Sequence, residues 1–404
     1  MDRAIGRSPT FFVGSEQQRQ NLDQLQRREQ HLAEQYQKNK PLSFVAGAYQ
    51  KTHPLKAAQG HRDADVTLVS PMLLGVADGV SQIEEYGIDA SELPKELLKA
   101  CEEQASVQLI PDQNGVLEGE YRGPIPMMRE AYETTEALGS TTVLLTILDN
   151  STRIHGKLHP MIAVLSIGDC EILILRRLQG LHEKYDTVFH TEMQRIEGNA
   201  QCPLQVCRID ERHDEHFDES VALEVIERGS AVHCVSAYEG DIVVMGSDGV
   251  FDNLFLDEIV EVINEMLPPG SAAGKFEPTD ASILTQAATR IVELCHTKTQ
   301  VGKDGQYPDA PIGRGGKRDD TCCVVGEVVE WTQEKGDHWT RLRRQRRWRN
   351  LITCGGHLHT CCDDSDEEDL RQAREFPSGP GSGFSDGEDS DGEQCGEKER
   401  CCIL

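Results

Sequence analysis

Three aspartate-centred segments of this chain have the composition to do chemistry. GVADG at 75–79 delivers Asp78 from an apolar run into a glycine turn. GSDGVFDN at 246–253 follows the run IVVM and presents Asp248 and Asp252. KRDDT at 317–321 places Asp319 and Asp320 just ahead of the run CCVV. No His/Cys group at zinc spacing is interleaved with them, so the donors on offer are oxygens, which suit a hard cation such as Mn²⁺ or Mg²⁺. The glycines let backbone carbonyls approach the same point without side-chain crowding. Two such ions about 3.5–4 Å apart would turn water into a hydroxide nucleophile and clamp a phosphoryl group for in-line attack. A single Asp-Gly pair is ordinarily a turn, and on spacing alone both a turn and a metal centre stay open.

The elements that must position these carboxylates lie between about 41 and 332. Short apolar runs rich in β-branched residues recur at Met72–Ala77, Thr142–Leu148, Met161–Ile167, Glu171–Leu175, Asp241–Met245 and Thr321–Val329, each of strand length and bounded by Gly, Asp or Ser. Helical patterns lie between them. Ser91 is a candidate N-cap ahead of Leu93, Leu97 and Leu98, and 256–266 and 281–297 carry Ile, Val and Leu at three- and four-residue spacing. Such a mixture can bury a substantial core.

The flanks read differently. Residues 1–40 form a polar extension, with Leu22, Leu25 and Leu32 spaced for a thin apolar stripe in 15–39, either a helix or a solvated segment. Residues 333–404 are expected to be a disordered tail: a basic block RLRRQRRWR at 341–349, an acidic DDSDEED at 363–369 and a Gly/Ser/Asp/Glu stretch at 377–400. A hydrophobic content of 38% agrees with partial disorder, and a net charge of −28 excludes a generic nucleic-acid binder. No run approaches the roughly 18–20 apolar residues of a spanning helix, and the N-terminus lacks an apolar leader core and reads poorly as a mitochondrial presequence. Fourteen cysteines without a secretion signal point to a reducing compartment.

Taken in order, GVADG, GSTT at 139–142, IGDC at 167–170, GSDGVFDN and RDDT resemble the motif series of PPM/PP2C-type metal-dependent protein phosphatases. HPLKAAQGHRDAD from His53 to Asp65, YGIDASEL at 86–93 and NAQCPLQV at 199–206 are similar to segments of the PPTC7-like branch, the T-cell activation protein phosphatase 2C homologues. The resemblance covers about 41–330. It implies an α+β fold, a four-layer αββα sandwich of two antiparallel sheets flanked by helices. It implies hydrolysis of phosphoserine and phosphothreonine in phosphoprotein substrates at a binuclear Mn²⁺/Mg²⁺ centre, with room for a third ion. Asp78 would bridge the two metals, the Gly79 carbonyl would add a ligand, and Asp248 and Asp319 would complete the sites. Asp63 would orient water in an outer shell, Asp169 and Asp252 would match the third, weaker metal position, and Asp320 would cap or support. Lys56 is carried over as a phosphate or support contact, and Arg62, a departure from the family pattern, is a second candidate because a guanidinium can hold phosphate bidentately.

Three positions depart from the family pattern: Arg62 stands where the family has an acid, Val80 and Ser81 stand where some members have a histidine, and Ser81-Gln82-Ile83 replaces the branch's Gly-Gly-Trp. The chain ends Cys401-Cys402-Ile403-Leu404, a C-a-a-X pattern whose Leu favours geranylgeranylation of Cys401. The arginines of 341–349 would supply the second signal that stable anchoring needs. Cys354, Cys361 and Cys362 are candidate palmitoylation sites, and Ser385 and Ser390 resemble acidophilic-kinase sites. The expected location is the cytoplasmic face of a membrane with a cytoplasmic pool. Two rival expectations are a pseudophosphatase that binds phosphoproteins and an anchored scaffold.

Overall fold

The computed structural model describes residues 40–112, 115–177, 184–196, 202–210, 212, 218–267 and 276–353. The stripe at 15–39, Cys354, Cys361, Cys362, Ser385, Ser390 and Cys401 lie outside the described residues.

In chain order the strands are β1 (Leu42–Lys51), β2 (Asp65–Val69), β3 (Leu73–Asp78), β4 (Gly139–Thr141), β5 (Val143–Asp149), β6 (Arg153–Ile154) and β7 (Lys157–Leu158). They continue as β8 (Met161–Ile167), β9 (Glu171–Arg177), β10 (Tyr185–His190), β11 (Val206–Arg208), β12 (Ala231–Ser236), β13 (Ile242–Gly246) and β14 (Thr321–Glu330). One five-stranded sheet has the order β1-β14-β13-β9-β10 and a second has β12-β8-β5-β3-β2. Every ladder in both is antiparallel.

The helices are α1 (Pro54–Ala58), α2 (Glu92–Gln108), α3 (Pro124–Glu133), α4 (Glu219–Glu224), α5 (Asp248–Phe251), α6 (Leu256–Met266), α7 (Ala281–Lys298) and α8 (Gln333–Thr353). Helices α2 and α3 pack on the second sheet, while α7 lies on β1 and β14 and α6 on β10. The fold is therefore α+β, two antiparallel sheets flanked by helices, the architecture of a PP2C sandwich.

β13 shows why its sequence is continuously apolar. Val243 and Met245 join the core that includes the second sheet, and Ile242 and Val244 join the core under α6 and α7. A strand covered on both faces needs apolar residues at every position, because successive side chains point to opposite faces. β14 divides the same way, Cys322 and Val324 to one side and Cys323 and Val325 to the other.

Ser91 occupies the N-cap position of α2 without a side-chain cap bond; its hydroxyl donates instead to Asp89 at 2.6 Å. At the far end the structure differs from the expected disorder beyond 332. The compact unit runs to Trp339, and α8 is helical from Gln333 to Thr353. Trp331 and Trp339 are both buried. Isolated aromatic anchors in a charged stretch bury large surfaces that average composition does not register.

Candidate functional site

β3 ends on Asp78, and the GSTT segment clamps its backbone. The Asp78 N–H donates to Thr142 Oγ1 at 3.1 Å. Its carbonyl accepts from the Thr142 N–H at 2.9 Å and the Thr141 hydroxyl at 3.0 Å. Gly79 follows in a place that admits no side chain: an added Cβ would stand 2.1 Å from the Ala90 carbonyl oxygen. Asp65, the first residue of β2, is the cross-strand partner of Asp78. Directly opposed residues share a face, with Cβ atoms about 4.5–5.5 Å apart, so the two carboxyls rise side by side. Asp65 is 2% exposed, and the Ser247 hydroxyl donates to its Oδ2 at 2.7 Å.

Ser247 leads into α5, whose first residue is Asp248. Asp248 is buried, and its Oδ1 has no hydrogen-bond partner. The segment before β14 closes over it. Asn253 Oδ1 accepts the Lys317 N–H at 2.8 Å, and Asn253 Nδ2 donates to the carbonyls of Gly249 at 2.8 Å and Lys317 at 3.0 Å. The Lys317 ammonium pairs with Asp248 and, at 2.8 Å, with Asp319. Lys56, on α1, pairs with Asp319 and, at 3.2 Å, with Asp320. Asp320 also accepts the His53 N–H at 3.2 Å, which holds the start of α1 against the β14 loop.

The electrostatics follow from crowding acids in a buried place. Burial, then Asp63, lifts the Asp65 carboxyl to about 8. Asp78 is raised well above the carboxylate range, by burial first and then by Asp65, Asp248 and Asp319. Burial lifts Asp248 to about 7 against the pull of Lys317. Asp319 is half-buried, and against the desolvation this brings Lys317 and Lys56 together hold it below its ordinary value. Asp63 is raised by burial and then by Asp320.

Among the described residues no group of three or more His, Cys, Asp or Glu side chains stands in a metal-holding arrangement. The two ammoniums stand between the carboxylates instead. The donor chemistry nonetheless fits a hard divalent cation at Asp78, Asp248 and Asp319: the donors are oxygens, the acids repel one another when ionised, and Asp248 Oδ1 is buried without a donor. Lysine can release a carboxylate by moving its flexible stem.

The other expected residues fall outside this group. Arg62 is 80% exposed in its side chain and pairs with Asp89 at 3.0 Å. Asp63 accepts from Gln50 at 3.2 Å and from the Asp65 N–H at 3.1 Å, at the edge of the group. Asp169, in the turn between β8 and β9, and Asp252, just after α5, are brought together, but around Arg195. Sequence reasoning passed over Asp65, Ser247, Lys317, Asn253 and Arg195. Of these, Ser247, Asn253 and Lys317 lie inside the GSDGVFDN and KRDDT segments and Asp65 closes the segment from His53, whereas Arg195 carried no local signal.

No family model matches the chain. The chain is 28% identical over 308 residues to probable protein phosphatase 2C 55 of Arabidopsis thaliana, covering 74% of this chain and 54% of that protein. It is 27% identical over 292 residues to probable protein phosphatase 2C 26 of the same plant, covering 71% of this chain and 85% of that one. Among solved structures it is similar to the photosystem II phosphatase PBCP, with 23% identity, a TM-score of 0.49 and coverage of 70% of this chain and 98% of that one. The chain thus spans little more than half the length of the first of these relatives. In sequence the chain is thus similar to proteins of the protein phosphatase 2C type, and its two antiparallel sheets flanked by helices have the matching architecture.

Proposed function

We propose that this protein is a metal-dependent protein serine/threonine phosphatase, a phosphoric monoester hydrolase acting on phosphoserine and phosphothreonine of phosphoproteins. The observation that carries the reading is the convergence of Asp78, Asp248 and Asp319 from three strand ends, with Asp65 beside them and one buried Asp248 oxygen left unpaired. Asp78, the Gly79 carbonyl, Asp248 and Asp319 would hold two Mn²⁺ or Mg²⁺ ions, and Asp63 would orient water at their edge. Ions held there would supply charge neutralisation at the phosphoryl group and a more acidic water.

The chain's own groups supply position. Thr141 and Thr142 fix the backbone of Asp78, and Ser247 fixes Asp65. Asn253 ties the Lys317 backbone to α5, which sets Asp319 opposite Asp248. Lys56, partly exposed over Asp319, is the phosphate contact in this reading, since an ammonium released from a carboxylate serves a phosphate oxygen equally well. The resemblance of 53–65, 86–93 and 199–206 supports assignment to the T-cell activation phosphatase 2C homologue branch.

We also infer attachment to the cytoplasmic face of a membrane through prenylated Cys401 and the basic block 341–349, with a cytoplasmic pool. Among the described residues no helix is long and apolar enough to cross a membrane, so in this reading the lipid and the arginines make the contact. The catalytic reading is tested with p-nitrophenyl phosphate and a phosphothreonine peptide. Hydrolysis is expected with Mn²⁺ or Mg²⁺ and is lost in EDTA; equal turnover in metal-free buffer would overturn it.

A further inference from the structure

Asp169 and Asp252 are 2% and 4% exposed, two acids withdrawn from water beside the site. Two buried carboxylates need a cation, and the structure supplies one from the chain. Arg195 Nε donates to Asp169 Oδ2 at 3.2 Å, and its Nη2 donates to Asp252 Oδ1 at 3.3 Å and Oδ2 at 3.0 Å. Three of the four carboxylate oxygens therefore face the guanidinium. Asp169 Oδ1 is the one left without a donor, and a single oxygen does not make a cation site.

The arginine is built in rather than draped over the pair. Residue 195 forms an antiparallel bridge with Pro203. On one side Ile196 N–H donates to the Cys202 carbonyl at 2.8 Å, and on the other Leu204 N–H donates to the Gln194 carbonyl at 3.1 Å. Gln194 N–H donates to the Gly168 carbonyl at 2.8 Å, and Gly168 N–H donates to Gln194 Oε1 at 3.1 Å. The turn that carries Asp169 and the segment that carries Arg195 are thus hydrogen-bonded to each other. Arginine also differs from the two lysines of the neighbouring acids in kind. It stays charged at every working pH, and its planar fork engages both carboxylates at once. An incoming divalent ion cannot gain these acids by deprotonating it.

We propose that Arg195 is a fixed internal cation that takes the place of a third metal ion between Asp169 and Asp252, leaving this chain with a two-ion site. The proposal rests on the two-ion reading given above. Asp169 and Asp252 were expected to hold a third metal; in the structure their side chains are brought together around a guanidinium.

The test is Mn²⁺ stoichiometry on the full chain, by calorimetric titration with the free-Mn²⁺ spin-resonance signal as a second readout. The expected result is two ions for the wild type and two for Asp169→Ala. Arg195→Met should take up one more ion, and Arg195→Met combined with Asp169→Ala should return to two. If Arg195→Met does not fold, the equal stoichiometry of wild type and Asp169→Ala carries the proposal by itself. A wild type that binds three ions and loses one in Asp169→Ala would overturn the inference while leaving the two-ion reading intact. A wild type that binds none would overturn that reading, and this inference with it.

Discussion

Asp65 offers the sharpest perturbation. It is buried, paired across the ladder with Asp78, and its carboxyl is held at about 8. A carboxyl raised in the folded chain binds its proton more tightly there than in the unfolded chain, where its pKa is near 3.9. In the absence of metal, stability is therefore full below the unfolded value and falls as pH rises toward about 8. One such proton contributes a slope of about −1.4 kcal/mol per pH unit, or roughly 4 kcal/mol lost between pH 5 and pH 8. Asp78 and Asp248 are shifted in the same direction, so they add to the same trend. Asp319 is shifted the other way, so its contribution is present above its ordinary pKa and is lost only in stronger acid. The metal-free protein should accordingly be most stable in mild acid, with a Tm on the order of 10 °C lower at pH 8 than at pH 5. Asp65→Asn should flatten that slope by about one proton, and saturating Mn²⁺ should restore stability at pH 8 by binding the ionised acids. The assay is urea and thermal denaturation in EDTA across pH 5–8. A wild type whose metal-free stability is flat or rises over this range, or an Asp65→Asn protein with an unchanged slope, would refute the reasoning.

Asp78→Asn and Asp248→Asn should each lower phosphatase turnover by several orders of magnitude while the far-ultraviolet circular dichroism stays native, since a ligand carboxylate is lost without a change of size; near-normal activity in either would break the assignment. Ser247→Ala removes the hydroxyl that donates to Asp65 at 2.7 Å and accepts the Cys322 N–H at 3.3 Å, so chemical denaturation should show a loss of about 1–3 kcal/mol. Cys401→Ser should move the protein from the membrane pellet to the cytosol with its rate on a soluble peptide unchanged. Replacing Arg343, Arg344, Arg346 and Arg347 with Gln should weaken membrane binding in a salt-sensitive way, read by fractionation at two ionic strengths.

The strands that carry the acids were legible because they are buried on both faces and read as unbroken apolar runs. Met161–Ile167 is found at its expected bounds, and the runs expected at 72–77 and 241–245 are shifted by one residue. β1, β2 and β12 gave no such signal. β1 is interrupted by Ala46, Gly47 and Ala48, and β12 alternates half-buried with exposed residues, so neither shows a run long enough to separate strand from loop.

Local composition alone determined that Asp78, Asp248 and Asp319 sit next to strands, the first two followed directly by glycine, and that the donors are hard oxygens. Those properties belong to each segment separately, and the pattern of apolar runs reports them. The partners were decided by tertiary structure. Asp65 matters because antiparallel register sets it opposite Asp78, and a shift of one residue would turn it to the other face. Lys317 and Lys56 matter because the loop before β14 and the helix α1 meet at Asp319. Arg195 lies in a segment with no periodicity, and nothing within several residues of it marks it. It reaches Asp169 and Asp252, 26 and 57 residues away along the chain, only because the bridge to Pro203 and the bonds between Gln194 and Gly168 hold it there. A charge that neutralises buried acids acts through space, over distances that separation along the chain does not encode.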